Sequence, residues 1–155
     1  MTISIQICSF LDVLPVWQDR LWPGRHSSIE PVSAINEEGS IDMNLMQSNP
    51  TFWSATHSFS KLTPIGVVSG YKTSPLSYRS RGLFVDQELR RNKIATRLLE
   101  SVFSKAKSEN CHSVWTMARQ TALPFYQAIG FEVSKKITHF EFGPHFMCVK
   151  SLSNL

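Results

Sequence analysis

Hydrophobic and polar positions change period several times along the chain, and each change predicts an element. Residues 2–8, TISIQIC, alternate apolar and polar side chains as a half-buried strand does. Asp12 is placed to cap the helix that follows, with Pro15 tolerated in its first turn. Val13, Trp17 and Leu21 recur there at i, i+4 and i+8, with Leu14 beside them, and WPGR ends the run. Residues 26–50 lack periodicity and are rich in Ser, Asn, Glu and Gly, as in a short helix or a mobile loop. TFWSATHS and PIGVVSGYK read as consecutive strands joined by a turn through KLTP. SYRSRGLFV is a third strand, separated from the second by TSPLS.

A helix is predicted from Leu89 to about Asn110, because Ile94, Leu98, Val102 and Ala106 fall on one stripe. HSVWTMA is a strand. TALPFYQAIG is a short helix with Thr121 as N-cap, Pro124 in the first turn and Gly130 as terminator. FEVSKKITHFEF and FMCVKSL close the chain as strands. The order β-α-(α)-β-β-β-α-β-α-β-β predicts an α/β (α+β) fold, a mixed sheet with helices on both faces.

Composition narrows the class. The 155 residues are enough for one domain with a proper core. The start of the chain has no basic n-region and is broken by Asp12, unlike a signal peptide, and no uncharged apolar run reaches membrane-spanning length. Cys8, Cys111 and Cys148 form no close pair, as expected of free thiols in a reducing compartment, which points to the cytoplasm. The five histidines lack metal-ligand spacing, so no metal is expected.

Charge is concentrated. Residues 1–78 carry four Lys/Arg against six Asp/Glu, and residues 98–155 carry six against four. Residues 79–97 carry six (Arg79, Arg81, Arg90, Arg91, Lys93 and Arg97) against Asp86 and Glu88. Arg90, Arg91 and Lys93 crowd what reads as the positive end of a helix, where backbone N–H groups point outward. An anion such as a pyrophosphate would relieve that crowding; a solvated basic turn is the competing reading. Neither a Walker loop nor a GxGxxG motif is present. The aromatics do not interleave with this basic span, which argues against nucleic acid.

On these residues the sequence resembles the GNAT superfamily of N-acetyltransferases. V-x-x-x-x-R-x-x-x-I-A-x-x-L-L, Val85 to Leu99, resembles its acetyl-CoA motif, with the family's R/Q-x-x-G-x-G/A falling on Arg90 to Ala95. R-x-x-A-x-x-F-Y-x-x-x-G-F, Arg119 to Phe131, resembles its second motif, and the likeness runs from about Gly66 to the end. The resemblance implies a mostly antiparallel sheet of six to seven strands in a single domain, 1–155. It implies that Leu83, Phe84 and Val85 offer backbone groups to the pantetheine arm, and that Arg90 with Arg91, Asn92, Lys93, Ile94 and Ala95 holds the pyrophosphate. Tyr126, by position alone a helix residue packing its ring on the sheet, would be the general acid on the CoA thiolate. Lys93 departs from the family's Gly; a helical φ would suit it. Arg119 stands where Asn is common and would contact cofactor or sheet.

The acceptor is less legible. Arg79 and Arg81 are expected to share a strand face with Leu83 and Val85, where they would grip a carboxylate or phosphate or else pair with acids of the chain. Trp22, Arg25, His26 and Glu30 lie where the family binds acceptors, with Trp22 as a wall and Glu30 as a candidate base. The expected function is acetyl transfer from acetyl-CoA to a primary amine in a ternary complex, without a cysteine intermediate. The expected acceptor is a small, anionic molecule, with no membrane or nucleic-acid partner, and the protein a monomer or homodimer. The alternative is an inactive acyl-CoA-binding or scaffold module, favoured by the loss of Gly at Lys93.

Overall fold

In a computed structural model, described over residues 2–58, 63–138 and 144–152, seven strands form one mixed sheet. They are β1 (Ile3–Cys8), β2 (Thr51–His57), β3 (Gly66–Ser74), β4 (Ser77–Val85), β5 (Ser113–Arg119), β6 (Glu132–Ile137) and β7 (His145–Ser151), in the order β1-β2-β3-β4-β5-β7-β6. The helices are α1 (Phe10–Val16), α2 (Ile94–Ser108) and α3 (Leu123–Ala128). The expected turn through KLTP, in part, and the strand residues 139–142 lie outside the described residues.

The chain divides into two compact units. The first takes Met1–Pro31, Pro50–Gly70 and Ser80–Ser104. In it β1 runs antiparallel to β2, with Ile3 opposite His57, and β2 runs antiparallel to β3. Ser9, rather than Asp12, caps α1: its hydroxyl accepts from the Asp12 N–H while the Asp12 carboxylate accepts from the Ser9 N–H at 2.9 Å. That reciprocal box satisfies two otherwise orphaned donors and, through the Ser9 backbone and then its hydroxyl, lowers the Asp12 pKa. Pro15 therefore sits beyond the first turn, where its missing N–H ends the i→i−4 ladder. The chain widens into a π-turn over Trp17–Leu21, and the Trp22 N–H donates to the Trp17 carbonyl at 2.8 Å. Val13, Val16 and Trp17 pack with Phe52 and Val67 as the core of this unit.

The second unit takes Val32–Asn49, Tyr71–Arg79 and Lys105–Leu155. Ser77–Arg79 of β4 pair in parallel with Ser113–Trp115 of β5, and β7 lies antiparallel between β5 and β6. Within residues 26–50 the ambiguous pattern resolves into an Ile35–Ile41 bridge and a 3-10 turn, Met43–Gln47. Thr121 does not cap α3: it lies inside a 3-10 turn, Gln120–Ala122, and Ala122 precedes the helix without a side-chain cap. Gly130 does terminate it, at φ +100°.

Candidate active site

The basic segment folds differently from the expected helix. Gln87–Asn92 form a 3-10 turn, Lys93 is left-handed at φ +59°, and α2 starts only at Ile94. The start coincides with the first residue of the apolar i, i+4 series; Leu89 is out of phase with it, so the earlier residues have no face to bury. Arg90 and Arg91 thus precede the helix instead of crowding its first turn. The helical φ expected for Lys93 is also wrong. That position needs the left-handed region, which glycine enters freely and lysine at a cost of about 1–2 kcal/mol. The family's glycine acquires a local reason here.

Lys93 occupies the cap position of α2: its carbonyl accepts from the Arg97 N–H at 3.1 Å, leaving the N–H groups of Ile94, Ala95 and Thr96 ahead of the first helical bond. Such a set suits an anionic phosphate ester, with the dipole adding to it. Upstream, the Arg90 Nε donates to the Val85 carbonyl at 3.0 Å, and the guanidinium groups of Arg20 and Arg90 each lie 5.6 Å from the Phe84 ring centroid. Arg20 also pairs with Asp86 at 2.6 Å. Burial nevertheless pushes the Asp86 carboxyl above the usual carboxylate range.

β4 carries a break that sequence reasoning missed. Gly82 stands at φ +74°, and a Cβ there would lie 2.3 Å from the Trp17 ring. The Trp17 indole N–H donates to the Gly82 carbonyl at 2.8 Å. A left-handed residue interrupts the two-residue alternation of the strand, so Arg81 and Phe84 both lie against the Trp17 cluster. Arg81 and Val85 consequently do not share the continuous face expected of Arg79, Arg81, Leu83 and Val85; Val85 instead approaches the Gly66–Leu98 side.

Arg81 is buried, 5.1 Å from the Trp17 centroid and 5.3 Å from that of Trp22, and its Nη1 donates to the Glu30 carbonyl at 2.9 Å. Arg25 stacks on Trp22 at 5.1 Å, and the two indoles are 5.1 Å apart. Arg81, Trp22 and the Glu30 backbone are thereby brought together. The Glu30 carboxylate is exposed and accepts from the Ser28 hydroxyl at 3.1 Å. His26 is exposed as well.

In the second unit Tyr126 is 6 % exposed, between Phe125 and Phe131 with centroids 5.2 Å from each. Burial pushes its phenol up to about 12 against the opposing effect of a hydrogen bond with Thr116. The phenol is therefore neutral over the physiological range. Arg119 ends β5, half-buried, opposite His145. Arg79 is buried near Tyr71 and Trp115. Burial raises all three thiols, Cys8 to about 11, so none is an activated nucleophile. Among the described residues no three His, Cys, Asp or Glu side chains gather as a metal site, and no helix is long and apolar enough to cross a membrane.

No curated protein matches the sequence. Among solved structures the chain is similar to Ard1 from Thermoplasma volcanium, at 16% identity and a TM-score of 0.71 over 99% of this chain and 100% of that one. It is similar to an aminoglycoside 6'-N-acetyltransferase complexed with coenzyme A, at 12% identity and a TM-score of 0.69, covering 100% and 99%. A chain of the NatC complex bound to Gag peptide and CoA is similar at 18% identity and 0.70, covering 99% of this chain and 100% of that one. These likenesses carry the fold. The acetyltransferase (GNAT) domain family matches residues 29–149, well beyond the stretch in which its motifs were first visible, and this chain belongs to that family.

Proposed function

We propose that the protein transfers the acetyl group of acetyl-CoA to the primary amine of a small acceptor, by direct attack in a ternary complex. The observation that carries the reading is Lys93, left-handed where the family has glycine and followed at once by α2 with three leading N–H groups. Arg90, Arg91, Asn92, Lys93, Ile94 and Ala95 hold the pyrophosphate, chiefly through main-chain N–H groups and net positive charge. Leu83, Phe84 and Val85 offer their backbone to the pantetheine arm, and Arg119 assists the cofactor. Residues of both units fall within the family match, which supports treating the chain as one acetyltransferase domain.

In the reaction the amine nitrogen attacks the thioester carbon, the C–S bond breaks, and Tyr126 protonates the departing thiolate. The proton leaves Tyr Oη for sulfur, the amine sheds its proton to the candidate base, and the phenolate is then reprotonated from solvent. A phenol held near 12 stays protonated, so no loss of rate at alkaline pH below about 10 comes from Tyr126. Because its folded pKa is raised, its contribution to stability is fully present below the unfolded value near 10 and disappears as pH rises through about 12. Glu30 is the candidate base that takes the amine's proton, and Trp22 and Arg81 line the acceptor side.

The test is calorimetric titration with acetyl-CoA, followed by thiol release from an amine panel. Wild type is expected to bind with micromolar affinity, and Ala95→Trp to lose binding through obstruction of the phosphate turn. Tyr126→Phe is expected to keep CoA affinity and lose about 10²–10⁴-fold in kcat. Tight binding with no turnover on any amine would favour the scaffold reading instead.

A further inference from the structure

The sheet ends in two edges of different character. β6, at one end, sets Glu132, Lys135 and Lys136 along a strand whose register shifts between Val133 and Lys135. Charges and a bulge of that kind blunt an edge against further pairing. β1, at the other end, has neither. Its sequence ISIQIC carries no charge and no proline, and it pairs with β2 in unbroken register from Ile3 to Cys8.

The open side of β1 is assigned residue by residue. The Ser58 N–H donates to the Thr2 carbonyl at 2.9 Å, which makes Thr2, Ser4, Gln6 and Cys8 the residues bonded to β2. The N–H and C=O groups of Ile3, Ile5 and Ile7 therefore point away from β2. Two bonds agree with that phase. Ala55, opposite Ile5, turns its carbonyl to the Ile65 N–H at 2.8 Å, and the Ile3 carbonyl accepts from Arg97 Nη2 at 3.2 Å. The side chains of the same three isoleucines share one face. It is the face on which α2 lies, since Leu98 approaches Gly66 there. Ile7 on that face is 69 % exposed.

A second copy of the chain fits this edge in a way that an arbitrary strand does not. Placed antiparallel about a two-fold axis at Ile5, the edge sets Ile5 against Ile5, Ile3 against Ile7 and Ser4 against Gln6. Isoleucine then meets isoleucine at each outward position, every such pair exchanges two main-chain hydrogen bonds, and no like charges are opposed. Arg97 of each copy, held at the Ile3 carbonyl, comes to lie beside Ile7 of the other. That carbonyl has a second lone pair for the Ile7 N–H.

We propose that the protein self-associates through β1, edge to edge and antiparallel, joining two sheets into one. The Ile3–Ile7 seam is short, below the roughly 1,200 Å² of a stable complex, so the dimer is reversible with a dissociation constant of about 10 μM.

Sedimentation equilibrium of the full chain from about 1 to about 300 μM tests this, beside amide exchange read by NMR at both ends of that range. Wild type is expected to double in mass across it. The Ile5 and Ile7 amides should exchange about tenfold more slowly at the higher concentration, whereas those of Ser4 and Gln6, already bonded to β2, should change less. Ile7→Lys, at an exposed position, should keep acetyl-CoA affinity and weaken the dimer about tenfold or more, through repulsion by Arg97 of the other copy. Ile7→Glu should weaken it less, which distinguishes this register from other ways of burying Ile7.

A monomer over the whole range overturns the proposal. So does a dimer that Ile7→Lys leaves intact while Ile5 and Ile7 exchange freely, since another surface then joins the copies. Equal protection of Ile5 and Ile7 at both concentrations means that another part of this chain covers the edge, and overturns it as well. If Ile7→Lys fails to fold, the concentration dependence of wild-type exchange still decides.

Discussion

Arg79 and Arg81 are two residues apart in β4 and equally buried, 7 % and 6 % exposed, yet their surroundings differ in kind. Arg81, in the first unit, stacks on two indoles and donates a short bond to a backbone carbonyl. Arg79, in the second, faces one indole, donates two long bonds and leaves Nε without a partner. Burial alone therefore does not tell a fully engaged cation from one whose donors are unmet. The count and quality of its partners does.

Four substitutions sharpen or break that contrast. Gly82→Ala should act most strongly, because the new methyl meets the Trp17 ring on which Arg81 rests and the backbone is left-handed there. A loss of about 4 kcal/mol in urea unfolding, or failure to fold, is expected. A loss near zero would mean that Trp17 is loosely held and Arg81 no better anchored than Arg79.

Next comes the direct comparison. Arg81→Ala removes a charge-assisted hydrogen bond and two cation–π contacts and should cost about 3 kcal/mol. Arg79→Met removes an uncompensated buried charge and should leave stability within about 1 kcal/mol of wild type, or higher. Equal losses, measured by the same unfolding experiment, would erase the distinction.

The smallest effect concerns a third cation, Lys93. Lys93→Gly relieves a left-handed lysine and should stabilise the protein by about 1 kcal/mol, with acetyl-CoA affinity retained. A destabilised variant would show that the lysine side chain, rather than its backbone, matters at the turn.

Much of the candidate cofactor segment could be read from residue types in order: the strand ending at Val85, the cations after it and the apolar stripe from Ile94. The conformation between them could not. Leu89 to Lys93 contain no glycine or proline to announce a 3-10 turn and a left-handed residue, so local propensity favoured one continuous helix. At α1 the reverse held: Ser9 and Asp12 formed a visible capping box, but the first apolar repeat drew the helix start three residues too late. Thr121 failed as a cap because the chain leaves β5 through a 3-10 turn, which consumes the position.

The sequence by itself determined the element order, the apolar stripe of α2 and the two family motifs, because periodicity and spacing are local properties of the chain. Only the tertiary structure decided what becomes of the cations. Whether a guanidinium is satisfied depends on rings and carbonyls far along the chain, such as Trp17 for Arg81 and Trp115 for Arg79. A single left-handed glycine, Gly82, sets which side of β4 each residue joins. No local pattern encodes that turn, because the indole that requires it lies sixty-five residues away.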